Sequence, residues 1–220
     1  YLINMNNIVS TNDGSSTFFC DNFEETYHSR HGARSESQHV FISNGFDFFS
    51  NKTHLNILEI GFGTGLNALL TLKENKTQVI NYNTVEKYPL SFNQYCSFKA
   101  SLNYNEHQQY ESLVSAKWNT ATQINSYFNL IKYHVCIEKF NLNSGYDIVY
   151  FDAFSPKKQP ELWDPFILNK MHDCLNKEGI LVTYCAKGQV KRDLASIGFN
   201  VETLPGPPGK REMIRAIKTS

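Results

Sequence analysis

The chain lacks the features that mark secreted, membrane-spanning and strongly basic proteins. Its cysteines include no Cys-x-x-Cys pair, so neither a disulfide framework nor a zinc site is indicated, and we expect reduced thiols and no metal. No apolar run approaches the roughly 18 residues that a membrane-spanning helix needs. Lys plus Arg and Asp plus Glu both number 21, so the formal net charge is zero and no overall attraction to nucleic acid is implied.

What is present fits one α/β domain. The 220 residues are 41% hydrophobic and 14% aromatic, which is enough apolar side chain to bury a sizeable core. Residues 1–5 show no charged region followed by an apolar core, so we expect no signal peptide. The composition therefore predicts a soluble cytoplasmic enzyme, and nothing in it demands more than a monomer.

Apolar runs alternate with helical patterns along most of the chain, which predicts a parallel, doubly wound sheet. The strand candidates are 55–60, 78–86, 133–138, 147–153 and 180–185, and the helix candidates are 65–75, 89–102, 161–177 and 188–197. The stretch 103–132 reads as helix plus loop covering one edge. At the end, 199–204 and 213–217 read as two strands joined by a Pro- and Gly-rich loop, so an antiparallel hairpin is expected there.

Residues 1–50 read as a hairpin and helix extension packed on a core domain of residues 51–220. The hairpin signal is Asn12-Asp13-Gly14 between two apolar stretches. Ser35 with Gln38 reads as a capping box that opens the helix.

The most informative stretch is a glycine-rich turn that follows the strand candidate 55–60. Three glycines stand at alternate positions, Gly61, Gly63 and Gly65. They let a ligand lie against bare backbone, because glycine has no Cβ and accepts positive φ. A dinucleotide-binding turn would have its third glycine at position 66, which is leucine here, and Glu59 stands two positions before the first glycine. This form resembles motif I of the Rossmann-type methyltransferases, which bind S-adenosylmethionine (SAM), although the turn alone also allows a tight βα connection without a ligand.

Two carboxylates follow other strand ends. Glu86 lies 21 positions after Gly65, close to the spacing at which a carboxylate reaches the paired hydroxyls of a nucleotide ribose. Asp152 lies at the carboxyl end of a later strand, the edge where open α/β sheets bind ligands, and Phe154 is placed to wall a substrate pocket. By themselves these positions leave two alternatives open, a solvated strand-end glutamate and a turn-forming aspartate.

Longer motifs make the chain resemble the MnmC/MnmD family over about residues 8–218. The matching motifs are ETYHS (25–29), GARSESQHVF (32–41), DAFSP (152–156), PELW (160–163), TYCAKG (183–188) and PGPPGKREM (205–213). The resemblance implies an α/β, Rossmann-like class I SAM-dependent methyltransferase fold. Its sheet would have seven mostly parallel strands, an antiparallel C-terminal hairpin and a small N-terminal β/α extension.

The resemblance also implies a reaction. This family uses SAM to methylate the 5-aminomethyl group of the wobble (2-thio)uridine in the anticodon region of transfer RNA, giving 5-methylaminomethyl-2-thiouridine. Bifunctional members add a FAD-dependent oxidase domain, for which this chain is too short. A separate FAD-dependent oxidase or another source of the aminomethyl group is therefore the implied partner.

The resemblance assigns roles to individual positions. Matching cofactor-site positions are Tyr27, Glu59, Gly61, Gly63, Gly65, Asn67, Glu86 and Cys136. Asp152 and Phe154 match the catalytic pocket, and our hypothesis is that Asp152 holds the substrate amine and accepts its proton late or through water. Cys136 stands where the family often has an acid that holds the adenine amino group, and Glu138 is the alternative for that contact.

Transfer RNA recognition would have to use a local basic face, because the chain as a whole is neutral. The basic candidates are Arg30, Arg34, Lys157, Lys158, Lys187, Lys191, Arg192, Lys210 and Arg211. A flipped-out base could stack on an aromatic side chain such as Phe154 or Tyr184.

Three other functions are weighed against this one. A polyamine aminopropyltransferase has a similar fold and strand-four aspartate, but it needs a second acid close by, where this chain has Ala153 to Pro156 and then two lysines. An NAD-dependent dehydrogenase is disfavoured by Leu66 and by the terminal antiparallel strands. A catalytically silent RNA-binding protein is disfavoured by the intact Glu59, Glu86 and Asp152, although Cys136 leaves it open.

Overall fold

The computed structural model describes residues 8–219, which form a small sheet and a large sheet flanked by six α-helices. The strands are β1 (Ile8–Ser10), β2 (Ser16–Cys20), β3 (Glu25–Thr26), β4 (His54–Ile60), β5 (Val79–Glu86), β6 (Thr122–Asn125), β7 (Phe128–His134), β8 (Tyr146–Phe151), β9 (Leu175–Thr183), β10 (Phe199–Pro205) and β11 (Glu212–Lys218). The α-helices are α1 (Ala33–Ser37), α2 (Leu66–Glu74), α3 (Phe92–Ala100), α4 (His107–Ser115), α5 (Pro165–Cys174) and α6 (Gly188–Ile197). A π-helical turn, Gln38–Ser43, continues α1.

The large sheet has a mainly parallel centre, which confirms the predicted fold class. Its strand order is β10-β11-β9-β8-β4-β5-β7-β6. The pairs β4–β5, β4–β8, β5–β7 and β8–β9 are parallel, and β11 runs antiparallel between β9 and β10 as the predicted terminal hairpin. Within residues 8–219 the sheet has eight strands rather than seven, because β6 pairs antiparallel with β7 where helix plus loop was predicted.

The third parallel strand lies earlier than predicted. The apolar run at 133–138 suggested a strand, but β7 is Phe128–His134 and residues 135–138 form the connection that follows it. The strand was missed because its buried face includes Lys132, which has no exposed surface and donates from Nζ to the Val114 carbonyl oxygen at 2.8 Å. Burial lowers the pKa of Lys132 to about 8.

The N-terminal extension shares its core with the large sheet. β1 and β2 form the predicted hairpin. Phe18, Val40 and Phe41 belong to the same buried cluster as Leu55 and Ile57 of β4. The division at residue 50 stays a prediction, since this cluster joins the two sides.

The predicted capping box at Ser35 is wrong. The N-cap of helix α1 is Gly32, three residues earlier, and Ser35 donates from Oγ to the Gly32 carbonyl oxygen at 3.3 Å.

A buried carboxylate joins the extension to the core. Glu106, which has no exposed surface, accepts from Arg34 Nη2 at 2.6 Å and also pairs with Lys73 Nζ. Burial alone would raise the pKa of Glu106, but the hydrogen bonds from Lys73 and Arg34 outweigh it and hold the pKa below its usual value. The pair of cations therefore fixes α1 against α2 through one ionised side chain.

Replacing Glu106 with glutamine should cost about 3–5 kcal/mol of unfolding free energy at neutral pH, because both cations lose a buried partner. The lowered folded-state pKa means that the stabilisation is complete above the unfolded-state pKa and is lost as pH falls through the folded-state value. Urea unfolding at several pH values measures it. The gap between wild type and Glu106→Gln should close in acid, whereas Glu111→Gln on the exposed face of α4 should leave the free energy of unfolding nearly unchanged.

Candidate active site

A cavity opens at the carboxyl ends of the central parallel strands. It encloses about 830 Å³, counting its open mouth. Its walls come from the glycine-rich turn, the end of β5, the connection after β7, the segment after β8 and the N-terminal extension. The topology therefore brings together the segments that the sequence singled out, at the edge where ligands of α/β sheets bind.

The glycine-rich turn runs from β4 into α2 with a left-handed backbone. Gly61, Gly63 and Gly65 have φ of 92°, 49° and 79°. A Cβ on Gly61 would lie 2.8 Å from the Asp152 carbonyl oxygen, and one on Gly63 would lie 2.9 Å from Tyr27 Cδ1. Glycine is thus required both by the backbone angles and by the close approach of two predicted site residues.

Glu86 supports this turn from the end of β5. Its carboxylate accepts from the Gly63 backbone N–H at 3.1 Å and from the Tyr88 backbone N–H at 2.8 Å. Burial raises the pKa of Glu86, and hydrogen bonds from the backbone N–H groups of Tyr88, Gly63 and Lys87 oppose that rise. A carboxylate has about four acceptor positions, so acceptor capacity remains on a side chain that lines the cavity.

Asn67 bridges two acids. Its Nδ2 donates to Glu59 Oε1 at 3.1 Å and to Asp152 Oδ2 at 2.8 Å. Burial and then the charge of Asp152 raise the pKa of Glu59 well above its usual value, which favours its neutral form. Asn67 Oδ1 is buried and has no hydrogen-bond partner among residues 8–219, in a side chain that lines the cavity.

Asp152 lines the cavity and has a pKa near neutrality. Burial raises the pKa of Asp152 to about 7, and the charge of Glu36 adds to the rise, while the Asn67 hydrogen bond and Lys210 oppose it. A carboxyl with a pKa near neutrality can both release and accept a proton under physiological conditions.

The raised pKa of Asp152 also makes a stability prediction. The folded state binds the proton more tightly than the unfolded chain, so the wild type loses stability as pH rises from about 4 to about 7. Asp152→Asn carries no charge and should avoid this loss. Its Tm advantage in thermal melts should therefore grow between pH 4 and 7 and level off above. Asp21→Asn, at an exposed turn, is the control, and an equal rise in both variants would contradict the assignment.

Aromatic side chains wall the cavity beside Asp152. Phe154 stacks on Phe23 with ring centroids 4.6 Å apart and meets Tyr27 edge-on at 5.1 Å. Trp163 Nε1 donates to the Phe154 carbonyl oxygen at 2.7 Å, which fixes the segment after β8. Burial and then the charge of Glu86 raise the pKa of Tyr27 well above its usual value, so its hydroxyl stays neutral.

Several lining residues were not singled out from the sequence. They are Phe23, His28, Gln159 and Leu162. His28 Nδ1 lies 3.1 Å from Thr17 Oγ1, and burial lowers the pKa of His28 to about 4, so the ring is neutral. His28 and Leu162 fall inside the family-like motifs, which could have pointed to them, whereas Phe23 and Gln159 follow no periodic or spaced pattern.

The cysteine predicted to contact the cofactor is half-buried and is not among the residues that line the cavity. Cys136 donates from Sγ to Glu138 and does not line the cavity, whereas Ile137 and Glu138 do. Burial raises the pKa of Cys136, and its bond to Glu138 adds to the rise. The role of Cys136 stays a prediction, and Glu138 is the polar group that the structure offers at this wall.

The predicted RNA-binding cations fall into two groups. The following have acidic or amide partners: Arg34 with Glu106, Lys158 with Glu24, Lys191 with Glu212, Lys210 with Glu36 and Arg192 with Gln189. Arg30, Lys157 and Lys187 are exposed and make no ion pair within the described part of the chain. Arg211 has a side chain that is 95% exposed, with its Nε 4.0 Å from Glu212.

Residues 8–219 contain neither a cluster of metal-ligating side chains nor a membrane-spanning helix. No group of three or more His, Cys, Asp or Glu side chains is arranged to hold a metal ion. Among the helices in that range, none is both long and apolar enough to cross a membrane.

The chain is similar to curated proteins described as the tRNA 5-methylaminomethyl-2-thiouridine biosynthesis bifunctional protein MnmC. The one from Aromatoleum aromaticum is 29% identical over 209 residues, covering 88% of this chain and 32% of that protein. The one from Leptospira interrogans is 29% identical over 213 residues, with the same two coverages. The chain thus spans about a third of the length of these relatives, and the resemblance predicted from the motifs is confirmed.

A solved structure shares the fold. The crystal structure of MNMC2 from Aquifex aeolicus superimposes with a TM-score of 0.78 at 23% identity, covering 95% of this chain and 68% of that one. A family model described as S-adenosyl-L-methionine-dependent methyltransferase matches residues 103–219, just over half of the chain. The chain therefore belongs to this family of S-adenosyl-L-methionine-dependent methyltransferases.

Proposed function

We propose that the protein transfers a methyl group from SAM to the primary amine of 5-aminomethyl-(2-thio)uridine at the wobble position of transfer RNA, giving the 5-methylaminomethyl product. One observation carries the proposal. Asp152, with a pKa near 7, lies where the glycine-rich turn meets an aromatic wall, in a chain similar over 88% of its length to proteins named for this modification.

The cavity has the groups that SAM requires. The glycine-rich turn presents backbone without Cβ atoms to the cavity, and the Glu86 carboxylate beside it has acceptor capacity for ribose hydroxyls. The apolar side chains available for adenine are Val85, Val135, Ile137 and Leu162, and we assign the polar contact at its edge to Glu138 or to Cys136. The unpartnered Asn67 Oδ1 is suited to an ammonium or hydroxyl donor. When bound, SAM supplies a methyl group made electrophilic by its sulfonium.

The chain's own residues have to make the acceptor amine nucleophilic. An alkylamine resembles lysine, with a pKa of about 10.4, so at neutral pH only about one molecule in 10³ is uncharged. Burial penalises an ammonium and a carboxylate alike, so in this cavity a proton passes from the amine to Asp152 more readily than in water. Asp152 would bind the ammonium form and then hold its proton, while Phe154 and Tyr27 exclude water and restrict the approach. Such positioning can contribute ~7–11 kcal/mol.

The rest of the transfer RNA would meet the exposed cations. Arg30, Lys157 and Lys187 are the unpaired ones among the predicted RNA contacts within residues 8–219, and we propose that they contact phosphates. We also propose that the protein acts as a monomer in the cytoplasm. A separate FAD-dependent oxidase or another source would supply the aminomethyl group.

A triple variant of Arg30, Lys157 and Lys187 to glutamine should weaken transfer RNA binding and reduce its dependence on salt. Three lost phosphate contacts lower the slope of log K against log salt by about 2–3. Filter binding at several salt concentrations measures both quantities. A matched triple, Lys76, Lys117 and Lys177 to glutamine, should leave the slope unchanged; equal losses in both triples would mean that binding is diffuse.

The structure also bears on the polyamine alternative. Glu36 is the second acid whose charge reaches Asp152, and it is already paired with Lys210. The acid whose charge acts on Asp152 is therefore not free to hold a second ammonium group of a diamine.

Methyl transfer from labelled SAM to transfer RNA that carries the 5-aminomethyl group, followed by nucleoside mass analysis, tests the proposal. A new 5-methylaminomethyl nucleoside is the expected product. Decarboxylated SAM with putrescine is the parallel assay. Alkylation of putrescine, or SAM binding without a nucleoside product, would overturn the proposal, and absence of SAM binding would favour a silent RNA-binding protein.

A further inference from the structure

An ion pair outside the predicted catalytic set lies beside Asp152. Glu36 of α1 pairs through Oε2 with Lys210, which belongs to the connection between β10 and β11. The Glu36 side chain is only 7% exposed, and its Oε1 accepts from the Ser29 backbone N–H at 3.0 Å. The two partners come from opposite ends of the described chain, and their contact joins α1 to the β10–β11 connection.

The pair is connected to Asp152 through an aromatic platform. Lys210 Nζ lies 3.6 Å from the centroid of the Tyr184 ring. The Tyr184 hydroxyl donates to the carbonyl oxygen of Ala153, the residue directly after Asp152, at 2.9 Å. A continuous series of contacts thus runs from Glu36 through Lys210 and Tyr184 to the backbone that carries the catalytic carboxyl.

The electrostatics single out the same two residues. The titratable groups that face Asp152 are Glu59 from β4, Tyr82 from β5, Tyr184 after β9, Glu36 and Lys210. Burial raises the pKa of Glu59, Tyr82 and Tyr184 well above their usual values, so these three face Asp152 in neutral form. Glu36 raises the pKa of Asp152 and Lys210 lowers it, so the two halves of one ion pair act on it in opposite directions.

A buried ion pair contributes little net stability, because the cost of removing two charges from water offsets their attraction. Resting on the proposed function, we propose that Glu36 and Lys210 form a positioning pair for Asp152, which holds the carboxyl toward the acceptor amine and keeps it in balance between its proton-bound and free forms. Lys210 would then act inside the site rather than as an RNA contact.

The test is a titration of the Asp152 carboxyl that needs neither SAM nor transfer RNA. Protein labelled with ¹³C at the aspartate carboxyl is followed by NMR against pH, and the Asp152 signal is assigned by its loss in Asp152→Asn. Losing Lys210 removes a charge that favours the carboxylate, so Lys210→Met should raise the midpoint. Losing Glu36 removes a charge that opposes it, so Glu36→Gln should lower the midpoint. Each change should be roughly one pH unit, as expected for a neighbouring charge.

Controls separate this effect from damage to the fold. The double variant Glu36→Gln/Lys210→Met removes both charges without leaving either unpaired, and its midpoint should return toward that of the wild type. Lys210→Arg keeps the charge and should also keep the midpoint. Lys99→Met breaks a remote ion pair, Lys99 with Glu111, whose lysine is as exposed as Lys210, and it should not shift the midpoint. The same midpoint in all variants, or shifts of one sign in both single variants, would overturn the proposal.

Activity supplies the second measurement. If the pair positions Asp152 during methyl transfer, the acidic limb of the pH profile of kcat should shift in each variant in the same direction as the titration midpoint of Asp152. The KM for SAM should stay unchanged. Midpoints that move while no transfer RNA is methylated would refute the proposed function and leave the pair's action on Asp152 intact. Methylation with midpoints that do not move would refute the pair alone.

Discussion

Replacing Asp152 with asparagine should lower kcat for methyl transfer to transfer RNA by about 10²–10⁴-fold, the range that a positioned acid–base group contributes. Asparagine keeps the shape and can still accept the hydrogen bond from Asn67 Nδ2, so the wall of the site should survive. It cannot neutralise an ammonium or take its proton. The variant would therefore hold the acceptor amine poorly and in its unreactive form.

The measurement is single-turnover methyl transfer with saturating SAM, beside calorimetric titration of SAM itself. The Kd for SAM should stay within a few-fold of wild type, because the glycine-rich turn and Glu86 do not depend on the Asp152 charge. Asp152→Ala should lose at least as much activity. Full activity in either variant would remove Asp152 from the mechanism, and a parallel loss of SAM affinity would make it a cofactor residue instead.

The second large effect is expected at Glu86. Glu86→Gln should weaken SAM binding by about 10²–10⁴-fold, because two hydrogen bonds to a charged acceptor, each worth about 1.5–3 kcal/mol, are lost or inverted. The amide would also turn a donor toward the Gly63 or Tyr88 backbone N–H, where a carboxylate oxygen now accepts. The lost ribose contacts and the disturbed backbone contacts both affect the part of the site formed by the glycine-rich turn and Glu86.

Calorimetric titrations with SAM and with S-adenosylhomocysteine measure the loss of affinity in Glu86→Gln. Loss of ribose contacts should weaken both ligands equally, since they share the nucleoside. Glu111→Gln is the control on an exposed helix face and should bind normally. If Glu86→Gln bound SAM as wild type does, the carboxylate would be a support for the turn and not a ligand contact.

The parts of the fold that the sequence predicts are those with short-range causes. Three glycines at alternate positions after a buried strand require a left-handed turn, and the structure gives all three positive φ. The terminal hairpin follows from two apolar strands separated by a Pro- and Gly-rich loop. β7 was misplaced because a buried lysine interrupts its apolar face, and its stabilising carbonyl lies 18 positions away at Val114.

The parts of the site that depend on distant pairing could not be predicted. Arg34 reads as a free cation until Glu106, 72 positions later, is placed beside it. Asn67 gave no sign that it would join Glu59 to Asp152, which lies 85 positions away. A residue type limits what a side chain can do, but the partner it meets across the fold determines which of those interactions it makes.

The joining of Glu36 to Lys210 across 174 positions has a consequence for how the enzyme is made. A ribosome adds about 5–20 residues per second, so on the order of 10 to 30 s separate the synthesis of the two partners. The glycine-rich turn and Glu86 leave the ribosome early in that interval, and the connection that carries Lys210 leaves near its end. The glycine-rich turn and Glu86 are therefore synthesised well before the partner of Glu36, and on our proposal Asp152 acquires its positioning pair only when the β10–β11 hairpin has docked.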